Sequence, residues 1–281
     1  MKRFLRIVGW ILGVLTLLLL LLLWGNKQLE TRDTFAAIHT RFEQNNIPLE
    51  EHGYSIDTEQ LYYVTMGKPS SKTLLFIHGS PGDWTAWEQL LTESTLVEKY
   101  RIVVVDRPPF QGSTAAGGNL SNQSRSLKTV MERECQPCTL VGHSYGGALA
   151  LQLAVDFPQY TNAVVSLAGT VASDYQTPKW YNTLAQSSWL TPFLTDGLLA
   201  SNKEMLALAQ DLDTLIPALN TLDIPFYFMQ GGNDVLVDPR SPFVLLPHLN
   251  KAEIKFNSSW DHFVIWTAFP AVEEIIEGAN Q

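Results

Sequence analysis

A short turn between two apolar segments constrains the fold of this chain more than any other feature. Gly-His-Ser-Tyr-Gly at 142–146 follows the strand-like run Thr139–Val141 and precedes Ala148–Phe157, whose alanines and leucines are typical of a helix. A strained strand-to-helix turn with glycine on both sides is typical of a nucleophilic serine exposed at the carboxyl edge of a sheet. Ser144 is therefore the predicted nucleophile, and a glycine-rich turn that cradles a ligand is the alternative.

Short apolar runs alternate with helical segments along most of the chain. Because these runs lack strict alternation of polar and apolar residues, they are typical of parallel strands covered by helices on both faces. The chain is therefore predicted to be α/β, with a mostly parallel sheet covered by helices on both faces. The predicted strands are Glu59–Thr65, Thr73–Ile77, Arg101–Val105, Thr139–Val141, Ala163–Leu167 and Phe226–Gln230.

The length of the chain favours a single α/β domain, which we place at residues 30–281. Between Gly169 and Leu222 the strand and helix alternation lapses into a segment rich in leucine, alanine and aromatic residues. Structureless connections of that length are uncommon in compact domains. We therefore predict a helical cap inserted at about residues 170–222.

The N-terminus carries an apolar run, Ile7–Trp24, without a charged residue. As a helix it would span about 27 Å, close to the thickness of a hydrocarbon core. No small-residue cleavage site follows, which favours an uncleaved transmembrane helix over a signal peptide. A buried core helix is the least favoured alternative, because a soluble domain of this size needs no helix so uniformly rich in leucine. Lys2, Arg3 and Arg6 predict a cytoplasmic N-terminus. Residues 1–29 are thus predicted to be a cytoplasmic tip and single-pass membrane anchor, with the domain on the outer side, periplasmic or extracellular.

The charge and the cysteine content limit which partners and metals the protein is expected to bind. The net charge is −9, and the globular part has no basic block, which argues against binding to nucleic acid. Cys135 and Cys138 are the only cysteines and offer too few ligands for zinc, so no metal is expected. In an exported domain they could form a local disulfide, and a pair of thiols is the alternative.

A nucleophilic serine needs a base and an acid that orients the base. His262, in the sequence Trp-Asp-His-Phe, is the predicted base, and Asp234, directly after a predicted strand, is the predicted acid. The order serine, aspartate, histidine is the one expected for this architecture. The alternative acids, in chain order, are Asp106, Asp174, Asp238 and Asp261.

The turn His-Gly-Ser-Pro-Gly at 78–82 is predicted to stabilise negative charge on a substrate oxygen. Two preorganised backbone N–H groups can stabilise an oxyanion by a few kcal/mol. We predict that the donors are the N–H groups of Ser80 and of Tyr145, which follows the serine. Residues with a supporting role in the two turns are His78, Gly79, Gly82, Gly142, His143 and Gly146.

Together these motifs resemble the α/β-hydrolase fold family. The resemblance covers the chain from about Thr73 to the C-terminus and rests on five motifs: HGSPG, DRPPFQGS at 106–113, GHSYGG, GGND and DHF. Pro109 and Gln111 depart from the family, which often has glycine at both positions. A serine rather than an aspartate at position 144 disfavours the epoxide hydrolase and haloalkane dehalogenase branches.

The resemblance implies a serine hydrolase, esterase-like or lipase-like, that cleaves a carboxylic ester or related small acyl substrate through an acyl-enzyme intermediate without a cofactor, and the apolar run Ile7–Trp24 predicts that it is membrane-anchored. Thioesterase, amidase and acyltransferase activities on the same triad stay open. A non-catalytic ligand-binding protein on the same fold is the alternative from another class. Loss of a triad residue would be its signature, and none is lost from the sequence.

Overall fold

The computed structural model describes residues 35–56, 59–70, 72–115 and 117–281. The predicted membrane span lies largely outside the described residues. Among those that are described, no helix combines the length and apolar character needed to cross a bilayer. The residues described nearer the N-terminus are Arg3, Arg6, Gly9, Trp10, Gly13, Val14, Thr16 and Leu19.

Eight strands form one sheet in the order β1-β2-β4-β3-β5-β6-β7-β8. The pairs β1–β2 and β2–β4 are antiparallel and all others are parallel, so the prediction of a mostly parallel sheet is confirmed. The first and last strands were not predicted. The strands are β1 (Leu49–Ile56), β2 (Glu59–Gly67), β3 (Thr73–Ile77), β4 (Arg101–Val105), β5 (Cys138–His143), β6 (Thr161–Leu167), β7 (Phe226–Gly231) and β8 (Ala252–Asn257).

Helices cover both faces of the sheet. The α-helices within residues 35–281 are α1 (Phe35–Gln44), α2 (Glu88–Glu93), α3 (Leu96–Lys99), α4 (Leu120–Glu134), α5 (Tyr145–Asp156), α6 (Trp180–Ala185), α7 (Asp196–Leu215), α8 (Ser241–Leu245), α9 (Val264–Thr267) and α10 (Phe269–Gly278).

The pleat of the strands explains why their sequences are apolar throughout. Alternate side chains of a strand point to opposite faces. In β3, Leu75 and Ile77 join the core beneath α4, α5 and α7, whereas Leu74 and Phe76 join the core beneath α1, α2 and α10. Every position of β3 is therefore buried.

The predicted cap region, between β6 and β7, contains the helices α6 and α7. Asn182 and Asn202 join these helices through two hydrogen bonds, of 2.8 and 3.0 Å. On the side of the sheet domain, Leu208 and Leu212 of α7 are buried in the core that α4 and α5 share. The carboxylate of Asp211 also accepts a hydrogen bond from the N–H of Leu120, at the start of α4. Helix α7 is thus fixed to the rest of the domain by apolar and polar contacts.

Cys135 and Cys138 are joined by a disulfide. Both residues are buried, at the end of α4 and the start of β5. The pair therefore closes the short connection between this helix and the strand that leads to Ser144.

Candidate active site

Ser144 lies in the turn between β5 and α5, with φ of 54° and ψ of −121°. This region is disfavoured for any residue with a side chain, and it costs about 1–3 kcal/mol. The flanking glycines permit the turn: a Cβ at Gly142 would lie 2.1 Å from the carbonyl oxygen of Gly146, and one at Gly146 would lie 2.2 Å from that of Ile77. The Ser144 N–H donates to the carbonyl of Leu167, which fixes the turn against β6.

Asp234 and His262 are buried and joined by a hydrogen bond of 2.9 Å from His262 Nδ1 to Asp234 Oδ2. The other carboxylate oxygen of Asp234 accepts from the N–H groups of Leu236 and Val237, at 2.9 and 2.8 Å. Gln230 donates a further hydrogen bond to Oδ2. This arrangement holds His262 with its Nδ1 toward the acid, which leaves Nε2 for a reacting partner.

Hydrogen bonding decides the ionisation of Asp234. Burial alone would raise its pKa, but the hydrogen bond from His262 and those from two backbone N–H groups outweigh burial, so the pKa lies below its ordinary value. Among the alternative acids, Asp238 pairs with Arg240 near the surface, and Asp174 lines a separate cavity with Asp213.

His143, next to the serine, braces the loop that carries His262. Its Nε2 donates to the carbonyl of His262 at 3.0 Å, and its ring packs against Trp87 and Trp266. Burial, followed by the neighbouring His262, lowers the pKa of His143 to about 3. His143 is therefore neutral in the folded protein at pH 7.

The turn at 78–82 lies against the serine turn. His78 is buried; its Nε2 accepts from the N–H of Arg107 at 2.9 Å, and its Nδ1 donates to the carbonyl of Gly79 at 2.8 Å. Burial and then the positive charge of Arg107 lower the pKa of His78 well below its ordinary value. Within the described part of the chain, no protein group accepts a hydrogen bond from the N–H of Ser80 or of Tyr145.

The two buried histidines make stability depend on pH. Below about pH 6.5 the unfolded chain takes up protons at His78 and His143, whereas the folded protein keeps both rings neutral to much lower pH. We expect the thermal midpoint to fall as the pH is lowered from 7 to 4, with net proton uptake on unfolding at pH 5. Calorimetry in buffers of different ionisation enthalpy measures both quantities. His143→Gln should make the decline shallower, and an unchanged slope in that variant would contradict the assignment.

Sequence reasoning missed a group of buried polar residues beside the turn at 78–82. Arg107 and Glu204 form a fully buried ion pair of 2.8 Å, and Gln123 hydrogen-bonds to both. The DRPPFQGS motif contained Arg107, but its partner lies far along the chain in α7. In the same motif Gln111, where the family often has glycine, has φ of 49°, in the left-handed region that favours glycine.

Two cavities meet at Ser144. One, of about 500 Å³, lies beneath the predicted cap, and the other, of about 330 Å³, lies on the side of Asp83 and Phe263. Ser80, Ser144 and His262 line both cavities. The predicted cap region contributes polar, aromatic and aliphatic side chains to the larger one, and the aliphatic ones include Leu184, Leu190, Leu194, Leu198 and Met205. Among the residues described, no cluster of three or more possible ligands could hold a metal ion.

Comparison with known proteins agrees with this architecture. Residues 74–271 match the model of the alpha/beta hydrolase family. A segment of this chain is 36% identical to the dihydrolipoyllysine-residue acetyltransferase component of the acetoin cleaving system of Cupriavidus necator, covering 37% of this chain and 28% of that protein. Another is 29% identical to mouse epoxide hydrolase 4, covering 36% of this chain and 29% of that protein.

A solved structure of similar fold is that of a membrane phospholipase A described as a bacterial virulence factor. The two structures superimpose with a TM-score of 0.66 at 18% sequence identity, and the alignment covers 100% of each chain. At 18% identity this similarity is evidence for a shared fold alone. The family match extends over most of the chain and includes both turns, Ser144, Asp234 and His262. The chain belongs to the alpha/beta hydrolase family.

Proposed function

We propose that this hydrolase is a serine esterase. The proposal rests above all on one arrangement: the strained serine turn opens into the same cavity as His262, whose other ring nitrogen is hydrogen-bonded to buried Asp234. A serine, a histidine and a carboxylate in these roles form the machinery of acyl transfer through an acyl-enzyme. Ser144, His262 and Asp234 are the catalytic residues in this proposal.

In the first half of the reaction, the Ser144 hydroxyl oxygen bonds to the substrate carbonyl carbon while His262 Nε2 takes the hydroxyl proton. Asp234 stabilises the imidazolium that forms. The carbonyl oxygen becomes an oxyanion, for which the N–H groups of Ser80 and Tyr145 are the proposed donors. When the bond to the leaving alcohol breaks, His262 returns the proton to it. Water then repeats these steps on the acyl-enzyme, which releases the acid and restores the serine.

The two cavities suggest where the acyl chain and the leaving group of a substrate lie relative to Ser144. The larger one has aliphatic side chains of the predicted cap among its lining residues and suits an apolar acyl chain, because burial of apolar surface favours binding. The smaller one, lined among others by Asp83, Thr85 and Phe263, is left for the leaving group. We therefore assign the acyl chain of a medium-length carboxylic ester to the cap cavity.

Membrane attachment is part of the proposal and rests on the sequence of the apolar run Ile7–Trp24. It would place the domain on the outer side of the membrane, within reach of lipid-derived esters. The exposed aromatic residues Trp180, Tyr181 and Trp189 of the cap region are of the kind that is enriched at membrane interfaces. They support a substrate that comes from a lipid phase.

A series of p-nitrophenyl esters of increasing acyl length tests the acyl assignment, because only the acyl chain varies. We expect kcat/KM to pass through a maximum at medium chain length, where the chain fills the cap cavity. Met205→Trp, which narrows this cavity, should shift the maximum to shorter chains, whereas the matched change Val244→Trp, in the separate cavity near His248, should not.

Turnover that is independent of acyl length would contradict the assignment of the cap cavity. A folded protein that binds the esters without releasing p-nitrophenol would contradict the esterase proposal and favour a binding role. Product analysis with an added alcohol then distinguishes hydrolysis from acyl transfer, since an acyltransferase would form the new ester in preference to the free acid.

A further inference from the structure

Arg107 and Glu204 form an ion pair with no exposed side-chain surface, between the end of β4 and the cap helix α7. Burying two charges is costly and often contributes little net stability, even when the charges are paired. A pair so completely buried beside the candidate active site therefore suggests a role in positioning other groups. Its hydrogen bonds show which groups these are.

Both members of the pair hold the turn at 78–82. Arg107 donates through Nε to the carbonyl of His78 at 2.7 Å and through Nη2 to the carbonyl of Gly79 at 2.9 Å. Glu204 accepts a hydrogen bond from the hydroxyl of Ser80 through Oε2. Three consecutive residues of the turn are thus tied to one ion pair.

The other contacts keep the ion pair itself in place. Oε1 of Glu204 accepts from Arg107 Nη1 at 2.8 Å and from the amide of Gln123 at 2.7 Å. Gln123 in turn accepts from Arg107 and donates to the hydroxyl of Tyr145 at 3.3 Å. The guanidinium also lies over the ring of Tyr145, 4.7 Å from its centroid. The network therefore contacts both residues whose N–H groups are the proposed oxyanion donors.

Peptide geometry connects these contacts to the oxyanion site. In a planar trans peptide the C=O and the following N–H point in opposite directions. The carbonyl of Gly79 is held by Arg107 Nη2 and by His78 Nδ1. The N–H of Ser80, in the same peptide unit, must then point to the opposite side, away from Arg107. Any rotation of this peptide would break both hydrogen bonds of the carbonyl.

We propose that Glu204 is a positioning residue for oxyanion stabilisation: through Arg107 and the Ser80 hydroxyl, it fixes the 79–80 peptide with the Ser80 N–H ready to donate. This inference rests on the proposed esterase function. Because Glu204 belongs to α7, the oxyanion site is complete only when the cap helix is docked on the domain. The cap therefore contributes to the chemical step as well as to the cavity.

The test compares Glu204→Gln with the wild type, using kcat per active site titrated with a fluorophosphonate. Glutamine keeps the shape of the side chain but removes the charge that holds Arg107. We expect kcat to fall about 10- to 100-fold with KM changed less than threefold, because an oxyanion donor acts mainly in the transition state. Affinity for a boronic acid that forms a tetrahedral adduct on Ser144 should fall by a similar factor.

Ser80→Ala keeps the backbone N–H and removes only the contact with Glu204, so it tests the inference if Glu204→Gln does not fold. We expect kcat to fall about three- to tenfold. Asp211→Asn is the matched control, since Asp211 also joins α7 to the domain but contacts the start of α4 instead of the turn. It should leave kcat and boronic acid affinity within twofold of the wild type.

The outcomes separate the inference from the function on which it rests. If the wild type neither hydrolyses esters nor reacts with the fluorophosphonate, the esterase proposal fails and the inference fails with it. If the wild type is active and Ser80→Ala keeps full kcat and boronic acid affinity, only the role of Glu204 is overturned. Equal losses in Asp211→Asn and Glu204→Gln would likewise overturn it, since they would reflect cap docking alone.

Discussion

Ser144→Ala is expected to abolish covalent labelling by a fluorophosphonate and to lower kcat for p-nitrophenyl esters by about 10⁴-fold or more. The reason is chemical: without the hydroxyl no acyl-enzyme forms, and only the oxyanion donors and substrate binding remain. Intact-mass measurement of the labelled protein reads the first effect, and initial rates with purified protein read the second. KM should change little, because the substrate cavities keep their lining.

The fold should survive this substitution. Alanine retains the Cβ, so the positive φ at position 144 is no more strained than with serine, and we expect the thermal midpoint to change by less than about 2 °C. Ser173→Ala is the matched control, because Ser173 lines the separate cavity near Asp174. It should be labelled like the wild type. Labelling of Ser144→Ala at the wild-type rate would show that another residue is the nucleophile.

The sequence predicted the central strands because their environment is visible in their composition. The strands β3 and β4 are buried on both faces, so they read as uninterrupted apolar runs, and their predicted bounds match the structure. The edge strands differ. Side chains of β8 are mostly exposed or half-buried, and β1 has a polar sequence, Leu-Glu-Glu-His-Gly-Tyr-Ser-Ile. Neither shows an apolar run, and only pairing with a neighbour makes each a strand.

In the candidate site, too, some residues could be predicted from the sequence and others could not. The turn glycines, Ser144 and Asp234 could be predicted because each lies at the end of a predicted strand, and His262 because it follows them in the expected order. Glu204 could not, since a glutamate in a helix is ordinarily a surface residue. Its partner Arg107 lies 97 positions away. Nothing local in the sequence distinguishes a glutamate that will be buried against arginine from one that will face water.

Asp234→Asn is expected to lower kcat by about 10²- to 10⁴-fold. The carboxylate now accepts from His262 Nδ1 and from two backbone N–H groups. An asparagine oxygen held by those N–H groups would turn its amide nitrogen toward Nδ1. That nitrogen can only donate, so it would favour the tautomer with the proton on Nε2, which cannot accept the Ser144 proton. The imidazolium would also lose its counter-charge.

Asp238→Asn is the matched control for this substitution, since Asp238 lies four positions along and pairs with Arg240 near the surface. We expect it to retain kcat within twofold. If instead Asp238→Asn lost activity and Asp234→Asn kept it, the acid would be assigned to the wrong aspartate.

The pH dependence of stability adds a second check, because the hydrogen bonds that lower the pKa of Asp234 stabilise the fold above about pH 4 and cease to do so as the pH falls through that pKa. The thermal midpoint of Asp234→Asn should therefore decline less steeply below pH 4 than that of the wild type, whereas a parallel decline would mean that Asp234 is not ionised in the folded protein.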